Sequence, residues 1–145
     1  SIAKERLSGY QAALEQFGLP FDDGLVKYCN YTSDEEETNL RTLFSLPAPP
    51  DAFLTVSDRL ALGYYAGLKN LGIRIDDVAF VGFSNLSVAE LLNPPMSVVV
   101  QPAFQMGHTA ADLLLDLIEK KPKQPEFRTV CLPTELFVRE SSLSK

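Results

Sequence analysis

Short apolar runs typical of β-strands alternate with helical segments along this chain, and that alternation limits its fold more than any single motif. Apolar residues at helical spacing occupy residues 2–17 and return in the segments that follow Ser33, Asp58 and Pro102. The remaining runs are LVKYCNYT, DAFLTVSD, DVAFVGF, MSVVVQP, FRTVCLP and ELFVRE. Because strands and helices alternate at short intervals, the sequence predicts an α/β fold: a three-layer parallel sheet with helices on both faces.

Polar residues stand directly after four of these runs, where the strands of a parallel sheet would share one edge. Ligands of such sheets collect outside the carboxyl ends of the strands, so this edge is a candidate binding rim. The alternative is that the same side chains are N-caps of the following helices, and a cap can also attract a ligand. Both roles stay open for Asn30, Thr32, Ser57, Asp58, Ser84, Asn85 and Gln101.

Two capping-box spacings and a pair of glycines are structural signals. Residues Ser33–Glu36 and Ser87–Glu90 have the spacing at which two side chains cap a helix N-terminus reciprocally. The acidic run after Ser33 therefore needs no metal ion to explain it. Gly63 and Gly67, four residues apart, predict a close approach between the third helix and the element on which it packs.

Charge and composition exclude several classes of protein. The 145 residues carry a formal net charge of −6 and have a sequence pI of about 4.7, so a basic surface for nucleic acid is absent. No stretch approaches the roughly 18 apolar residues of a membrane span. Cys29 and Cys131 lie in strand-like runs, which predicts buried, reduced thiols in a cytoplasmic protein rather than a disulfide framework.

No constellation of catalytic residues is visible in the sequence. The single histidine, His108, lies four residues before Asp112, which is the spacing of a surface pair on a helix. The sequence has no nucleophile motif of the GxSxG type, no GxxxxGK phosphate loop and no Cys/His metal spacing. We therefore expect no enzymatic activity, no metal site and no cofactor.

Six motifs in order carry a resemblance to a known family. They are R-x-x-G-Y (Arg6 to Tyr10), PDAFLTVSDRLALG, DVAFVGFSN, LLNPPMSVVVQP, MGHTAADLLLDLI and LPTELFVRES. In this order they resemble the effector-binding core of the LacI/GalR family of bacterial transcription repressors. The resemblance implies the fold of type 1 periplasmic sugar-binding proteins, in which a ligand lies in a cleft between two α/β lobes.

The resemblance covers mainly the second of these lobes. It implies that residues 1–101 and 133–145 form a C-terminal lobe and that residues 102–132 belong to the N-terminal lobe. The DNA-binding headpiece has no counterpart, so we expect a piece of a longer repressor that would contact operator DNA only through the missing headpiece. The acidic charge agrees with this expectation.

The resemblance also implies ligand-binding residues. Arg6 fills the place of an arginine that reaches the effector in the family. Ser57 and Asp58 stand where many members have Asn-Asp, and Ser84 precedes Asn85 where many have Asp-Asn. Ala103 aligns with a position at which some members stack an aromatic ring on the sugar. A hydrogen bond to a charged group contributes roughly 1.5–3 kcal/mol against about 1 kcal/mol for a neutral one. The loss of an acid at position 84 therefore predicts a sugar-like ligand of altered chemistry, including a sugar phosphate or other anion.

A homodimer is the remaining expectation. The apolar stripe of the helix over residues 103–120 would be exposed in an isolated monomer and favours association. The dimer would form by domain exchange or through the family's own interface. The matching motifs carry that interface over to Ala61, Leu62, Tyr65, Leu86, Ala89, Leu92 and Pro95.

Three functions are compatible with these observations. The leading one is an effector-sensing and dimerisation module of a LacI-type repressor, in which a small sugar or sugar-like ligand in an interlobe cleft controls operator binding. A periplasmic sugar-binding protein of a transport system has the same fold. An enzyme of the flavodoxin-like or a related class is the third and would require a cofactor or turnover.

Overall fold

The chain alternates between helices and strands in the computed structural model, which describes residues 2–30, 33–120 and 127–143. The helices are α1 (Ile2–Gln16), α2 (Ser33–Phe44), α3 (Asp58–Asn70) and α4 (Ala103–Lys120), and the strands are β1 (Ala52–Thr55), β2 (Ala79–Phe83), β3 (Ser97–Val100) and β4 (Glu135–Phe137). Short 3₁₀ turns occupy Asp23–Leu25, Ile75–Asp77, Ser87–Glu90 and Glu140–Ser142. The α/β class that the sequence predicts is confirmed.

The four strands form one mixed sheet in the order β1-β2-β3-β4. β1, β2 and β3 are parallel, but β4 pairs with β3 in the antiparallel direction, with Glu135 opposite Val100. The predicted parallel sheet is thus present in β1, β2 and β3, and β4 departs from it. β4 enters at the edge where β3 ends, and a chain that returns at that edge can pair only by running back along its neighbour.

Two of the predicted strands do not form. Residues 26–30 of the run LVKYCNYT and residues 127–133, which contain FRTVCLP, make no ladder with the described strands, while Tyr31 and Thr32 lie outside the described residues. A strand requires a neighbour, and the outer edge of β1 has none among the described residues. The first run turns toward the helices instead, so that Cys29 Sγ lies 3.2 Å from the Tyr64 hydroxyl.

The core lies between one face of the sheet and the helix pair α2–α3. It contains the buried side chains of Leu40, Leu60, Ala61, Tyr64, Leu68, Phe80, Ala89, Met96 and Val98. The close approach predicted from the glycines is confirmed, because a Cβ on Gly63 would lie 2.0 Å from Glu36 Oε2 and one on Gly67 would lie 2.5 Å from Leu40 Cδ1. Burial raises the pKa of the Tyr64 phenol.

The opposite face of the sheet carries α1, whose Arg6 guanidinium carbon lies 4.0 Å from the ring centroid of Phe83, but this face is only partly covered. None of the fifteen residues of α1, all of them described, is buried. Leu54 and Leu136 on this face are 43% and 57% exposed. Part of the cover comes from the C-terminal tail, in which Ser141 Oγ donates to Phe80 O and accepts from Ser97 N.

Other local predictions have mixed outcomes. The prediction of a second capping box is wrong, because the turn Ser87–Glu90 has no side-chain cap. Glu90 Oε1 instead accepts a hydrogen bond from Arg139 Nη2 at 2.7 Å. The side chain of Ser33 lies outside what the structure describes. Both cysteines are free as expected, but Cys131 is exposed and Cys29 half-buried, because neither run is inside the sheet. Among the described helices, none has the length and apolar character needed to cross a membrane.

Candidate functional site

Arg6 brings a positive charge to the edge of the sheet where β1, β2 and β3 end. Its Nη1 donates to Val56 O, one residue beyond β1, and its Nη2 donates to Gln101 Oε1 at 3.2 Å, one residue beyond β3. The guanidinium carbon also lies 4.0 Å from the ring centroid of Phe83, the last residue of β2. Contact with three strand ends places this cation where ligands of parallel α/β sheets collect.

Asn85 ties the segment after β2 to the segment after β3. Its Nδ2 donates to Gln101 O at 2.7 Å, and its Oδ1 accepts from Gln101 N at 2.9 Å. Its own backbone N–H donates to Asp58 Oδ1 at 3.1 Å, at the start of α3. We call Arg6, Asp58, Phe83, Asn85 and Gln101 the strand-end cluster. It combines one cation, one carboxylate, two carboxamides and one aromatic ring.

The hydroxyls of Ser57 and Ser84 both accept hydrogen bonds from backbone N–H groups. Ser57 is the N-cap of α3, and its Oγ accepts from Leu60 N at 3.4 Å. Ser84 is only 1% exposed, and its Oγ accepts from Leu86 N at 3.2 Å. Ser84 continues the buried alternation of Phe80 and Gly82 along β2, whereas Asn85 extends the face of Phe83, on which Arg6 lies.

Of the six ligand-binding residues predicted from the sequence, the structure brings Arg6, Asp58 and Asn85 together in the strand-end cluster. Ala103 is the exposed first residue of α4, two positions after Gln101. Phe83 and Gln101 are the members that the predicted set missed. Gln101 was nevertheless a candidate for the binding rim, as a polar residue directly after a strand, whereas Phe83 has the sequence pattern of an ordinary core residue.

A cavity elsewhere in the structure and the surface pair of His108 lie outside the strand-end cluster. A cavity of about 270 Å³ beside α2 is lined by Tyr28, Glu35, Thr38 and Asn39, none of which belongs to the strand-end cluster. Within the described residues, no group of three or more His, Cys, Asp or Glu side chains could hold a metal ion. His108 Nδ1 lies 3.0 Å from Asp112 Oδ2 on α4, and both side chains are exposed, as expected for a surface pair four residues apart.

Three of the predicted interface residues are buried within the chain. Ala61 and Ala89 are 0% and 1% exposed, and Tyr65 is 8% exposed with its hydroxyl donating to Pro94 O at 3.1 Å. Their assignment to a surface is wrong, because α3 presents Ala61 and Tyr65 to β2 and to the turn after it, and Ala89 is the buried residue of that turn. At least partly exposed are Leu62, Leu86, Leu92 and Pro95.

Relatives of this chain are bacterial transcription regulators. The transcriptional regulator CelR of Thermobifida fusca is 38% identical over 138 residues, which are 94% of this chain and 40% of that protein. The transcriptional repressor CytR of Escherichia coli strain K12 is 31% identical over 115 residues, which are 79% of this chain and 34% of that protein. The chain therefore spans less than half the length of these relatives.

Solved structures agree with the sequence relatives. The structure of a CelR–cellobiose complex matches with a TM-score of 0.82 at 38% identity over 95% of this chain and 42% of that chain. A LacI family regulator from Enterococcus faecium with bound ribose matches with a TM-score of 0.80 at 28% identity over 94% of this chain and 50% of that chain. The family described as periplasmic binding protein-like domain matches residues 1–142. The chain thus belongs to the periplasmic binding protein-like domain family, in the form found in LacI-type transcriptional regulators.

Proposed function

We propose that this chain is the effector-sensing module of a bacterial LacI-type repressor. The observation that carries the proposal is the placement of the Arg6 guanidinium against three strand ends. Its partner Gln101 is bonded to Asn85, whose backbone N–H donates to the Asp58 carboxylate. Fixed N–H donors, carboxylate acceptors and an aromatic ring are the groups that recognise polyhydroxylated ligands. The regulators with bound cellobiose and ribose support this function over a transport protein or an enzyme.

The proposed organisation assigns the described parts to two lobes. Residues 1–101 and 133–145 form one lobe, and residues 102–132 contribute to the other, with the ligand in the cleft between them. None of the eighteen residues of α4, all of them described, is buried, which supports a partner surface outside this lobe. Operator DNA would be bound by a separate headpiece, in agreement with the net charge of −6, and the protein would act in the cytoplasm.

The cluster favours a ligand that carries negative charge. The position before Asn85 holds a buried serine rather than a carboxylate, and the one acid of the strand-end cluster, Asp58, accepts a hydrogen bond from the backbone of Asn85. A phosphate or carboxylate on the ligand would then form charge-assisted bonds to the guanidinium without a competing acid at position 84. We therefore propose a sugar-like ligand with an anionic group.

Calorimetric titration of paired probes tests this ligand chemistry. We expect D-ribose 5-phosphate to bind the natural protein that carries this sequence at least about tenfold more tightly than D-ribose, because the guanidinium adds roughly 1.5–3 kcal/mol of charge-assisted bonding. Glucose 6-phosphate, glucose and cellobiose extend the set. Binding of the neutral sugars alone would overturn the anionic preference, and absence of binding by every probe would overturn the sensing function.

We also propose that the protein associates through a second copy of itself. The apolar stripe of α4 is open to solvent, with Met106, Leu114, Leu117 and Ile118 at least 45% exposed. A second surface lies around the Ser87–Glu90 turn, where Leu91 is 83% exposed. Exposed apolar areas of this kind support association.

Light scattering at micromolar concentration tests this association. We expect a dimer, and we expect either Leu117→Glu or Leu91→Glu to convert it to a monomer, since a charge in an apolar interface is costly to bury. The variant that acts identifies the surface. Glu119→Gln, an exposed change on α4, serves as the matched control and leaves the dimer intact. A monomeric wild-type protein would contradict the proposal.

A further inference from the structure

Gln101 is held from two sides at the point where the chain leaves the sheet. Its backbone N–H and C=O bond to the two ends of the Asn85 carboxamide at 2.9 and 2.7 Å. Its side-chain Oε1 accepts from Arg6 Nη2 at 3.2 Å. Ala103 N–H also donates to Gln101 O, at 2.8 Å, so the same residue begins α4. Gln101 therefore joins the proposed ligand-binding arginine to the first turn of a helix.

The first turn of α4 is built on this attachment. Met106 N–H donates to Pro102 O at 2.9 Å, so the helix starts from the Gln101–Pro102 pair. All eighteen residues of α4 are described and none is buried, which leaves the helix with few packing contacts of its own. Helices shift as units when their attachments change. A change at Gln101 is thus passed to the whole of α4.

A ligand and Gln101 compete for the same guanidinium. The bond from Arg6 Nη2 to Gln101 Oε1 joins a charged donor to a neutral amide oxygen, at the long end of the hydrogen-bond range. An anionic oxygen forms a shorter and stronger bond with such a donor. A ligand of the class proposed above would take over the donor and release the Gln101 side chain, while the Asn85 carboxamide still holds its main chain.

We propose that Gln101 couples ligand occupancy at Arg6 to the anchoring of α4. Without ligand, the guanidinium and the Asn85 carboxamide both fix the start of the helix against the sheet edge. With ligand, only the carboxamide holds it, and the first turn loosens. This inference rests on the proposed function, because it assumes that the ligand engages Arg6. Gln101 acts here as a positioning residue, not as a ligand contact.

Hydrogen exchange without ligand tests the coupling directly. The reporters are the amides of Gln101 and Met106, whose partners are Asn85 Oδ1 and Pro102 O. We expect Arg6→Ala and Gln101→Leu each to speed exchange of both amides about threefold or more, and the double variant to add little, since both remove the same bond. Lys4→Ala on α1 and Gln105→Leu on α4 are exposed controls that leave both rates unchanged. Additive effects, or unchanged rates in the single variants, would overturn the coupling.

Exchange with D-ribose 5-phosphate separates the coupling from the proposed function. In the wild-type protein the probe speeds exchange of both amides, whereas in Gln101→Leu the rates no longer respond and the affinity for the probe is equal or higher. A full response in Gln101→Leu, or a loss of affinity as large as that of Arg6→Ala, overturns the inference. If neither D-ribose 5-phosphate, D-ribose nor cellobiose binds the wild-type protein, the proposed function fails, and the ligand-free rates alone decide whether Arg6 and Gln101 are coupled.

Discussion

Replacing Gly67 by valine should lower the free energy of unfolding by about 3 kcal/mol, through overpacking of a filled core. A Cβ at this position would lie 2.5 Å from Leu40 Cδ1, and the Leu40 side chain is fully buried. The leucine has no solvent to move into, so either its side chain adopts a strained rotamer or α2 and α3 move apart. Thermal unfolding followed through the near-ultraviolet signal of the core tyrosines should show a fall in Tm of about 10 °C.

Gly9→Val in α1 is the matched control, because nothing lies within 4 Å of a Cβ at that position. We expect its stability to stay within about 0.5 kcal/mol of the wild type. Adding Leu40→Ala to Gly67→Val should cost less than the sum of the two single changes, because the deleted side chain makes room for the valine. Additive costs in this double-mutant cycle would show that the two side chains do not meet.

Arg6→Ala should weaken binding of D-ribose 5-phosphate about 100-fold. Two charge-assisted hydrogen bonds of roughly 1.5 kcal/mol each correspond to about two orders of magnitude in Kd. Arg6→Lys should lose about tenfold, because an ammonium keeps the charge but cannot offer two parallel donors. The measurement is calorimetric titration at one fixed ionic strength, since part of the attraction is screened by salt.

Lys4→Ala is the control for Arg6, because it removes a positive charge from the same helix at an exposed position. It should leave the Kd within about twofold, by the small effect expected of an exposed charge. Circular dichroism of each variant establishes that α1 and the sheet are intact before affinities are compared. If Lys4→Ala and Arg6→Ala weaken binding equally, the effect comes from net charge, and the strand-end cluster is not the binding site.

β1, β2 and β3 each pair with the strand that comes next in the chain. β1, β2 and β3 could be predicted because each is an apolar run followed by a helical or turn segment that leads to the next strand. The run LVKYCNYT has the same composition but no partner strand among the described residues. Composition reports the tendency of a segment to pair, whereas pairing itself depends on distant residues. This is why residues 26–30 were predicted incorrectly.

The polar sheet edge that we propose as the binding site could be predicted, but the contacts within it could not. Strand-end polarity pointed to Asp58, Asn85 and Gln101, and only the family resemblance pointed to Arg6. The bonds between Asn85 and Gln101 join residues sixteen positions apart, and they depend on the register of β2 against β3. The alternation of buried and exposed residues along β2 predicts the position of Ser84 better than its residue type does. Ser84 lies on the buried face with Phe80 and Gly82, and its hydroxyl accepts a hydrogen bond from Leu86 N in the following turn.

The absence of buried residues in α4 also determines how the protein unfolds. An 18-residue helix that shares no core with the sheet gains no cooperativity from it, and isolated helices of this length are marginally stable in water. Far-ultraviolet circular dichroism should therefore record loss of α4 at lower temperature than the near-ultraviolet signal records loss of the core. Association through α4 would bring the two transitions together as protein concentration rises. The separation between the two melting curves thus measures how much of the helix is covered at each concentration.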